Sequence, residues 1–443
     1  MKSLAALSFF FFGKRIWKGI NSQKYKSVEV DYTKAGSDMS SILEKKWSVI
    51  FKLNQKIMNL EEELKKSAQT ISFLKANGGA VRAQTKKLQG KEALKSIDFP
   101  AIAEKRKFTG HRDAITCLAN HSTESFLVTG SSDSTLRVLD VELNSQVALL
   151  RGHTHSVNGV DWFKNTIVSC ASDMTVRLWK SRNKQNALDF DQFHCVKTLV
   201  GHDHSVSQIM VLGSTQYAVS VSRDCSLKFW DLEQQMCKRT LIDDEHEWLR
   251  CVDANENYLV TAGNDTRVWA YDLKKILSNN SEGKGGGKLA EETMVGNFPA
   301  HDNVIEQISI GYQVENKKKV KTILGATSEH ICVTASRDKQ IKVFNILNGD
   351  CLLSLSGHEN WVKDVQIIPE TSWILSVGED KTLRIWNIEK KKQIFVRKGI
   401  HEHFVNRMVF DLSRMMITTG SVDKSCKVWG LMSENEFRMN GLA

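Results

Sequence analysis

The chain has 443 residues, 41% of them hydrophobic and 25% charged, which is typical of a soluble globular protein. Its nine cysteines stand singly without a CxxC pair, so the sequence predicts a reducing compartment and argues against a zinc site or a disulfide framework. The formal net charge is +10, but residues 1–107 hold 22 of the 61 basic residues and only 10 of the 51 acidic ones. The remainder is nearly neutral and does not predict binding of nucleic acid.

Residues 1–38 form the first segment, which contains an apolar run, LAALSFFFF, ending at Phe12. Nine such residues are too few to span a bilayer, for which about 20 are needed. No cleavage site of the A-x-A type follows the run. We therefore predict a divergent N-terminal leader and no membrane segment.

Residues 39–77 contain neither Gly nor Pro and fit an unbroken heptad repeat. The a positions are all apolar and most d positions are Leu, which predicts a parallel two-stranded coiled coil and hence a homodimer. Two polar d residues predict that this dimer is weak. The alternative to a coiled coil is an amphipathic helix that packs on the chain's own domain. The a positions are Leu43, Ile50, Ile57, Leu64 and Ile71, and the d positions are Lys46, Leu53, Leu60, Ser67 and Leu74. The polar, basic residues 78–95 are predicted to be a linker.

Residues 96–431 repeat a unit of roughly 40 to 57 residues, the period of propeller repeats with loop insertions. The best copies run from Gly-His through an apolar strand to a turn with Asp, and then to a strand that ends in Trp-Asp or a related pair. Four His-to-Asp intervals equal 22 residues, which predicts that each pair forms a buried hydrogen bond with a structural role. The pairs are His111–Asp133, His153–Asp173, His202–Asp224, His301–Asp338, His358–Asp380 and His401–Asp423.

Two copies depart from this pattern. The fourth is built around His246, Asp265 and Trp269, and the fifth contains an insertion from Gly311 to Glu329. A further loop, from Ser278 to Lys288, is predicted to be flexible because its centre reads SEGKGGGK.

Seven copies predict an all-β, seven-bladed WD-repeat β-propeller preceded by an α-helical coiled coil. In a closed propeller the sheet edges that remain are short and protected. The segment Ile97–Phe108 is predicted to close the ring as the outer strand of the last blade. Residues 432–443 are predicted to be a C-terminal tail.

A coiled coil followed by this propeller resembles the lissencephaly/nuclear-distribution family, whose members regulate cytoplasmic dynein. The resemblance covers about residues 42–430, and the family's helical dimerisation motif, LisH, is not recognisable in residues 1–38. The most specific matching strings are LEKKW (Leu43–Trp47), GHDHSV (Gly201–Val206), GHENWVKDV (Gly357–Val365), HEHFV (His401–Val405) and TGSVD (Thr419–Asp423).

Residues beside the His–Asp pairs are expected at one end of the ring, because each pair joins a Gly-His loop to an Asp turn. Arg223 and Arg337 each precede a turn Asp, and Lys381 follows one. Trp248 and Trp361 follow the loops that enter their copies, and Arg250 lies two residues after Trp248, on the same side of its strand. Arg and Trp are enriched at binding hot spots. The resemblance implies that the dynein motor domain is bound by Arg223, Arg250, Arg337, Trp361 and Lys381.

The resemblance implies a non-enzymatic adaptor that binds the cytoplasmic dynein heavy chain, nuclear-distribution coiled-coil adaptor proteins and, weakly or indirectly, microtubules. It implies roles in minus-end-directed transport, nuclear migration and spindle positioning, in the cytoplasm and at the microtubule cytoskeleton. A non-catalytic subunit of a platelet-activating-factor acetylhydrolase, or another WD-repeat scaffold, is the alternative. The chain has no GxSxG, P-loop or zinc-site motif, so neither an enzyme nor a cofactor is predicted.

Overall fold

The computed structural model describes residues 100–181, 193–213, 215–242, 247–278, 286–311, 322–323, 326–327, 330–369 and 371–433. These residues belong to the predicted propeller, and its last strand extends two residues beyond the predicted boundary, to Ser433. The predicted leader, coiled coil and linker lie outside the described residues, so the coiled coil stays a prediction.

Seven four-stranded antiparallel sheets form the described propeller, which confirms the predicted fold. Blade 1 contains β2 (Ile115–Asn120), β3 (Phe126–Ser131), β4 (Thr135–Asp140) and β5 (Ser145–Arg151). Blade 2 contains β6 (Val157–Phe163), β7 (Thr166–Ala171), β8 (Thr175–Ser181) and β9 (Phe193–Val200). Blade 3 contains β10 (Val206–Val211), β11 (Tyr217–Ser222), β12 (Ser226–Asp231) and β13 (Met236–Ile242).

The next three blades follow the same order from the innermost strand outwards. Blade 4 contains β14 (Leu249–Ala254), β15 (Tyr258–Gly263), β16 (Arg267–Asp272) and β17 (Met294–Pro299). Blade 5 contains β18 (Ile305–Ile310), β21 (Ile331–Ser336), β22 (Gln340–Asn345) and β23 (Cys351–Ser356). Blade 6 contains β24 (Val362–Ile367), β25 (Trp373–Gly378), β26 (Leu383–Asn387) and β27 (Lys392–Arg397).

Blade 7 closes the ring with strands from both ends of the propeller sequence. It contains β28 (Val405–Asp411), β29 (Met416–Ser421), β30 (Cys426–Ser433) and β1 (Pro100–Phe108). Strand β1 pairs antiparallel with β30 as the outer strand, which agrees with the role predicted for this segment. Pairing the first strand with the last makes closure of the ring a long-range contact.

Insertions occupy two blades. Two short helices, α1 (Leu273–Ser278) and α2 (Gly286–Thr293), lie between β16 and β17. Helix α2 begins inside the Ser278–Lys288 segment, so the flexible loop predicted there is partly helical. A two-stranded hairpin, β19 (Thr322–Ile323) and β20 (Ala326–Thr327), lies between β18 and β21.

The hydrophobic core lies between neighbouring blades rather than at the centre of the ring. Middle strands such as β7 and β21 are buried along their whole length because adjacent blades cover both faces, and they are rich in Val, Ile and Thr. The innermost strands line a central channel with polar side chains that join one blade to the next. Asp161 Oδ2 accepts the Val211 N–H (2.7 Å), and Asp253 Oδ2 accepts the Ile310 N–H (2.9 Å).

Candidate functional site: a cationic and aromatic face around the central channel

The loops that enter the innermost strands and the turns that contain Asp lie together at one end of the propeller. We call this end the His-loop face. The residue after each turn Asp has a left-handed backbone, with φ between 60° and 70°. Lys381 is one of these residues, with φ at 60°. This conformation lets the Asp side chain accept hydrogen bonds within its own turn and from the neighbouring loop.

Blade 3 shows how each loop is joined to its turn. Trp230 Nε1 donates to Ser220 Oγ (2.8 Å), which lies 2.7 Å from His202 Nε2. His202 Nδ1 lies 2.7 Å from Asp224 Oδ2. A carboxylate oxygen can only accept, so Nδ1–H donates to Asp224, and Nε2 can accept the Ser220 hydroxyl. Burial alone would raise the pKa of Asp224, but hydrogen bonds from His202 and Ser226 lower it well below its usual range. Every polar atom of this buried chain is paired, as a structural role requires.

The remaining His–Asp pairs have the same geometry. Blades 2, 6 and 7 also contain the Trp, whereas Leu139 and Phe344 take its place in blades 1 and 5. The Nδ1–Oδ2 distances are 3.0 Å for His111–Asp133, 2.8 Å for His153–Asp173, 2.6 Å for His301–Asp338, 2.8 Å for His358–Asp380 and 2.9 Å for His401–Asp423.

Blade 4 departs from the repeat pattern that the sequence analysis assigned to it. Strand register places Tyr271, not Trp269, at the position of Trp230 in blade 3. Trp269 lies two residues earlier and donates directly to Asp265 Oδ2 (2.5 Å). Trp269 could be taken for the repeat Trp because a residue two positions out of register lies on the same side of the strand. His246 lies outside the described residues.

Two Arg–Trp pairs on the His-loop face each join neighbouring blades. The guanidinium of Arg337 in blade 5 lies 4.3 Å from the ring centre of Trp361 in blade 6. Arg223 in blade 3 lies 5.2 Å from the ring of Trp248 at the entry to blade 4 in the same way. Trp248 is 44% exposed. Both pairs use the residue before a turn Asp and the residue before an innermost strand.

The backbone of each of these two tryptophans packs closely against a glycine of the neighbouring strand. Gly263 ends the second strand of blade 4, and Gly378 ends that of blade 6. A Cβ at these positions would lie 2.1 Å from the Trp248 carbonyl oxygen and 2.5 Å from that of Trp361. Side chains larger than hydrogen therefore do not fit without a shift of these loops.

One of the two pairs, Arg337–Trp361, contacts Glu306, the second residue of β18. Arg337 Nε donates to Glu306 Oε1 (2.5 Å), and Arg250 Nη1 lies 3.5 Å from the same oxygen. Lys363 Nζ donates to Oε2 (2.9 Å). The side chain of Glu306 is 7% exposed. Burial alone would raise its pKa, but the charges of Lys363, Arg250 and Arg337 lower it to about 2.

Arg250 lies between the two pairs. Its Nε donates to Asn264 Oδ1 (2.7 Å), and its side chain is 23% exposed. Burial lowers the pKa of Arg250, Glu306 raises it, and the charges of Arg337 and Arg223 lower it again. The cations of this face therefore repel one another and depend on Glu306 as a shared counter-ion.

The structure brings four of the five predicted binding residues together, namely Arg223, Arg250, Arg337 and Trp361. Lys381 lies on the same face, but its Nζ donates to the Glu402 carbonyl (2.9 Å). Among the described residues, no hydrogen bond or ion pair joins Lys381 to the other four. Lys381 therefore lies beside this cluster and is not part of it.

Sequence reasoning missed Glu306 and Lys363, although a repeat-based signal identifies them. Each innermost strand has a register shift, a β-bulge, at its second residue. A bulge redirects a side chain, and here it directs the second residue towards the mouth of the channel. The residues at this position are Thr116, Asn158, Ser207, Arg250, Glu306, Lys363 and Asn406.

No group of three or more His, Cys, Asp or Glu side chains in the described residues is arranged to hold a metal ion. None of the helices in these residues is long and apolar enough to cross a membrane.

The family model of the WD domain, G-beta repeat, matches residues 103–140, 144–180, 193–231, 349–387 and 394–430. The nuclear distribution protein nudF of Aspergillus niger is 30% identical over 379 residues, which cover 82% of this chain and 77% of that protein. The chain belongs to the nuclear-distribution family. The resemblance read from the sequence motifs is therefore confirmed.

Other members of the family match over similar lengths. Nuclear distribution protein nudF 1 of Talaromyces marneffei is 31% identical over 392 residues, covering 86% of this chain and 79% of the relative. Nuclear distribution protein PAC1 of Yarrowia lipolytica is 28% identical over 423 residues, which cover 88% of this chain and 87% of the relative. The WD-domain matches leave out blade 4 and most of blade 5, the two blades that contain the insertions.

Proposed function

We propose that this protein is a non-enzymatic adaptor for nuclear distribution that binds the motor domain of cytoplasmic dynein through its His-loop face. The names of its relatives support a role in nuclear distribution. The observation that supports the binding site is the cluster of two Arg–Trp pairs around one buried carboxylate. In this role the protein supports nuclear migration, spindle positioning and minus-end-directed transport.

The chemistry of the face favours a protein partner with acidic groups. Arg and Trp dominate the binding energy of many protein interfaces, and a cationic face also steers an acidic partner into contact. Trp248 and Trp361 provide rigid apolar surface at the edge of the channel mouth, and the cations beside them provide charge. Arg337 is already oriented by Glu306, which reduces the conformational entropy lost on binding.

The remaining partners belong to the same proposal. A homodimer through residues 39–77 would present two His-loop faces to one motor and raise the apparent affinity. Nuclear-distribution coiled-coil adaptor proteins are further proposed partners, and microtubules are contacted weakly or through the motor. The corresponding location is the cytoplasm, at microtubules and spindle poles.

Binding of a purified dynein motor domain to the Arg337→Ala/Trp361→Ala variant tests the proposal. We expect Kd to rise at least about thirtyfold, since one central, desolvated hot-spot residue contributes about 2 kcal/mol or more, and the contributions of two residues in contact do not add fully. Wild-type affinity should also fall as salt concentration rises. Lys390→Ala, at an exposed turn on the opposite end of blade 6, is the control and should bind like the wild type.

Circular dichroism establishes whether each variant is folded. A folded double variant that binds as tightly as the wild type would remove this surface from the motor interface. Loss of folding would instead show that Trp361 is a core residue, and the site would then need single substitutions at Arg223 and Arg250.

A further inference from the structure

The mouth of the central channel on the His-loop face is a cavity of about 240 Å³. Its lining includes four cationic side chains, Arg223, Arg250, Lys363 and Arg407, and one carboxylate, Glu306. The lining therefore has an excess of three positive charges among the described residues. These five side chains come from five successive blades and converge on one cavity.

Two cations of this cavity, Arg407 and Arg223, form no ion pair with Glu306 among the described residues, and Arg407 lies deeper than the exposed Arg223. Arg407 Nη1 donates to the Lys363 carbonyl (3.1 Å), and no ion pair joins Arg407 to another described residue. Its charge acts on the buried Asp364, but burial raises the pKa of that carboxyl group to about 6, and its Oδ2 already accepts the Met408 N–H (2.7 Å). Arg407 thus keeps free guanidinium donors beside the cavity.

Glu306 has no capacity left for further cations. Its two oxygens are shared by Arg337, Arg250 and Lys363. Partly buried charges of one sign destabilise one another unless an opposite charge lies close. An anion in the cavity would supply that charge.

We propose that the channel mouth binds a small, multiply charged phosphate anion, with Arg407, Arg250 and Lys363 as its ligands and Arg223 at the rim. A guanidinium group matches phosphate oxygens through two parallel hydrogen bonds. Each phosphate group has about 1.5 to 2 negative charges near neutral pH, so two or three linked groups offset the excess. A single carboxylate would leave most of the excess in place. The inference concerns the isolated chain and does not depend on motor binding.

Isothermal titration of the full chain with inorganic tripolyphosphate tests the proposal. We expect one site per chain and about tenfold weaker binding for Arg407→Gln, because one charge-assisted contact is lost. Arg223→Gln removes an exposed rim charge together with its cation–π contact to Trp248, and it should weaken binding about threefold by the loss of that charge. Glu306→Gln should tighten binding, since Glu306 is the one carboxylate of the lining among the described residues.

Arg407→Gln is expected to weaken binding and Glu306→Gln to tighten it, whereas general damage to the fold would weaken binding in both variants. Lys390→Gln removes an equal charge from the far end of the propeller and should leave the affinity unchanged. If Lys390→Gln and Arg407→Gln weaken binding equally, the anion binds to net charge and the site is refuted. Citrate that binds as tightly as tripolyphosphate would refute the phosphate assignment. The absence of any binding at low salt would refute the proposal as a whole.

Discussion

Glu306→Gln is the most informative single change on the His-loop face, because it keeps the shape of the side chain and removes its charge. Three cations then lose their shared counter-ion. The pKa of Glu306 is about 2 in the folded protein against 4.5 ordinarily, and a difference of this size corresponds to about 3 kcal/mol. The cations are 18% to 23% exposed, and solvent screens part of the effect. We therefore expect the free energy of unfolding at pH 7 to fall by about 2 to 3 kcal/mol.

The sign of the pH dependence follows from the direction of the shift. The folded pKa lies below the unfolded one, so the stabilisation is complete above pH 4.5 and is lost as the pH falls through about 2. The difference between wild type and variant should therefore close by about 1.4 kcal/mol per pH unit in that window. Other acidic residues titrate in both proteins, and their effects cancel in the difference.

Urea unfolding at pH 7 and at pH 3.5, followed by circular dichroism, measures this difference. Glu233→Gln is the control, because its ion pair with Lys164 (3.3 Å) is exposed at both ends and contributes at most about 1 kcal/mol. The reasoning is refuted if Glu306→Gln unfolds like the wild type at pH 7. It is equally refuted if the loss is as large at pH 3.5 as at pH 7.

Two further predictions concern the blades and the N-terminal region. Asp224→Ala should lower the free energy of unfolding by about 1 to 3 kcal/mol, since it leaves the buried His202 Nδ1 without its partner. Urea unfolding measures this loss against the exposed neighbour Asp203→Ala, and equal stabilities would contradict a structural role for the pair. Deletion of residues 1–79 should convert a dimer to a monomer, because the heptad repeat of residues 39–77 lies in the deleted part. Analytical ultracentrifugation decides this, and a full-length chain that is monomeric at micromolar concentration would contradict the coiled coil.

The blade count could be predicted because it rests on local spacing, whereas ring closure is a long-range contact that is inferred from the repeat architecture. A His and its turn Asp are separated by two strands and a hairpin, so the interval repeats wherever the hairpin is unchanged. The His-to-Asp interval does not reveal the strand register within blade 4, because Trp269 and Tyr271 point to the same side of one strand. Strand pairing, which is not local, assigns Tyr271 to the repeat position.

The sequence by itself determined the family, the seven repeats and the end of the ring at which Arg223, Arg250, Arg337 and Trp361 lie. These follow from motifs and from the alternation of side chains along strands. Only the tertiary structure decided that Arg337 and Lys363 share Glu306, from which they are 31 and 57 residues away in the chain. The physical reason is that ring closure and the bulge in each innermost strand direct side chains from different blades into one channel mouth. Spacing within a repeat locates the second residue of each innermost strand, but it does not show which of these side chains form ion pairs with one another.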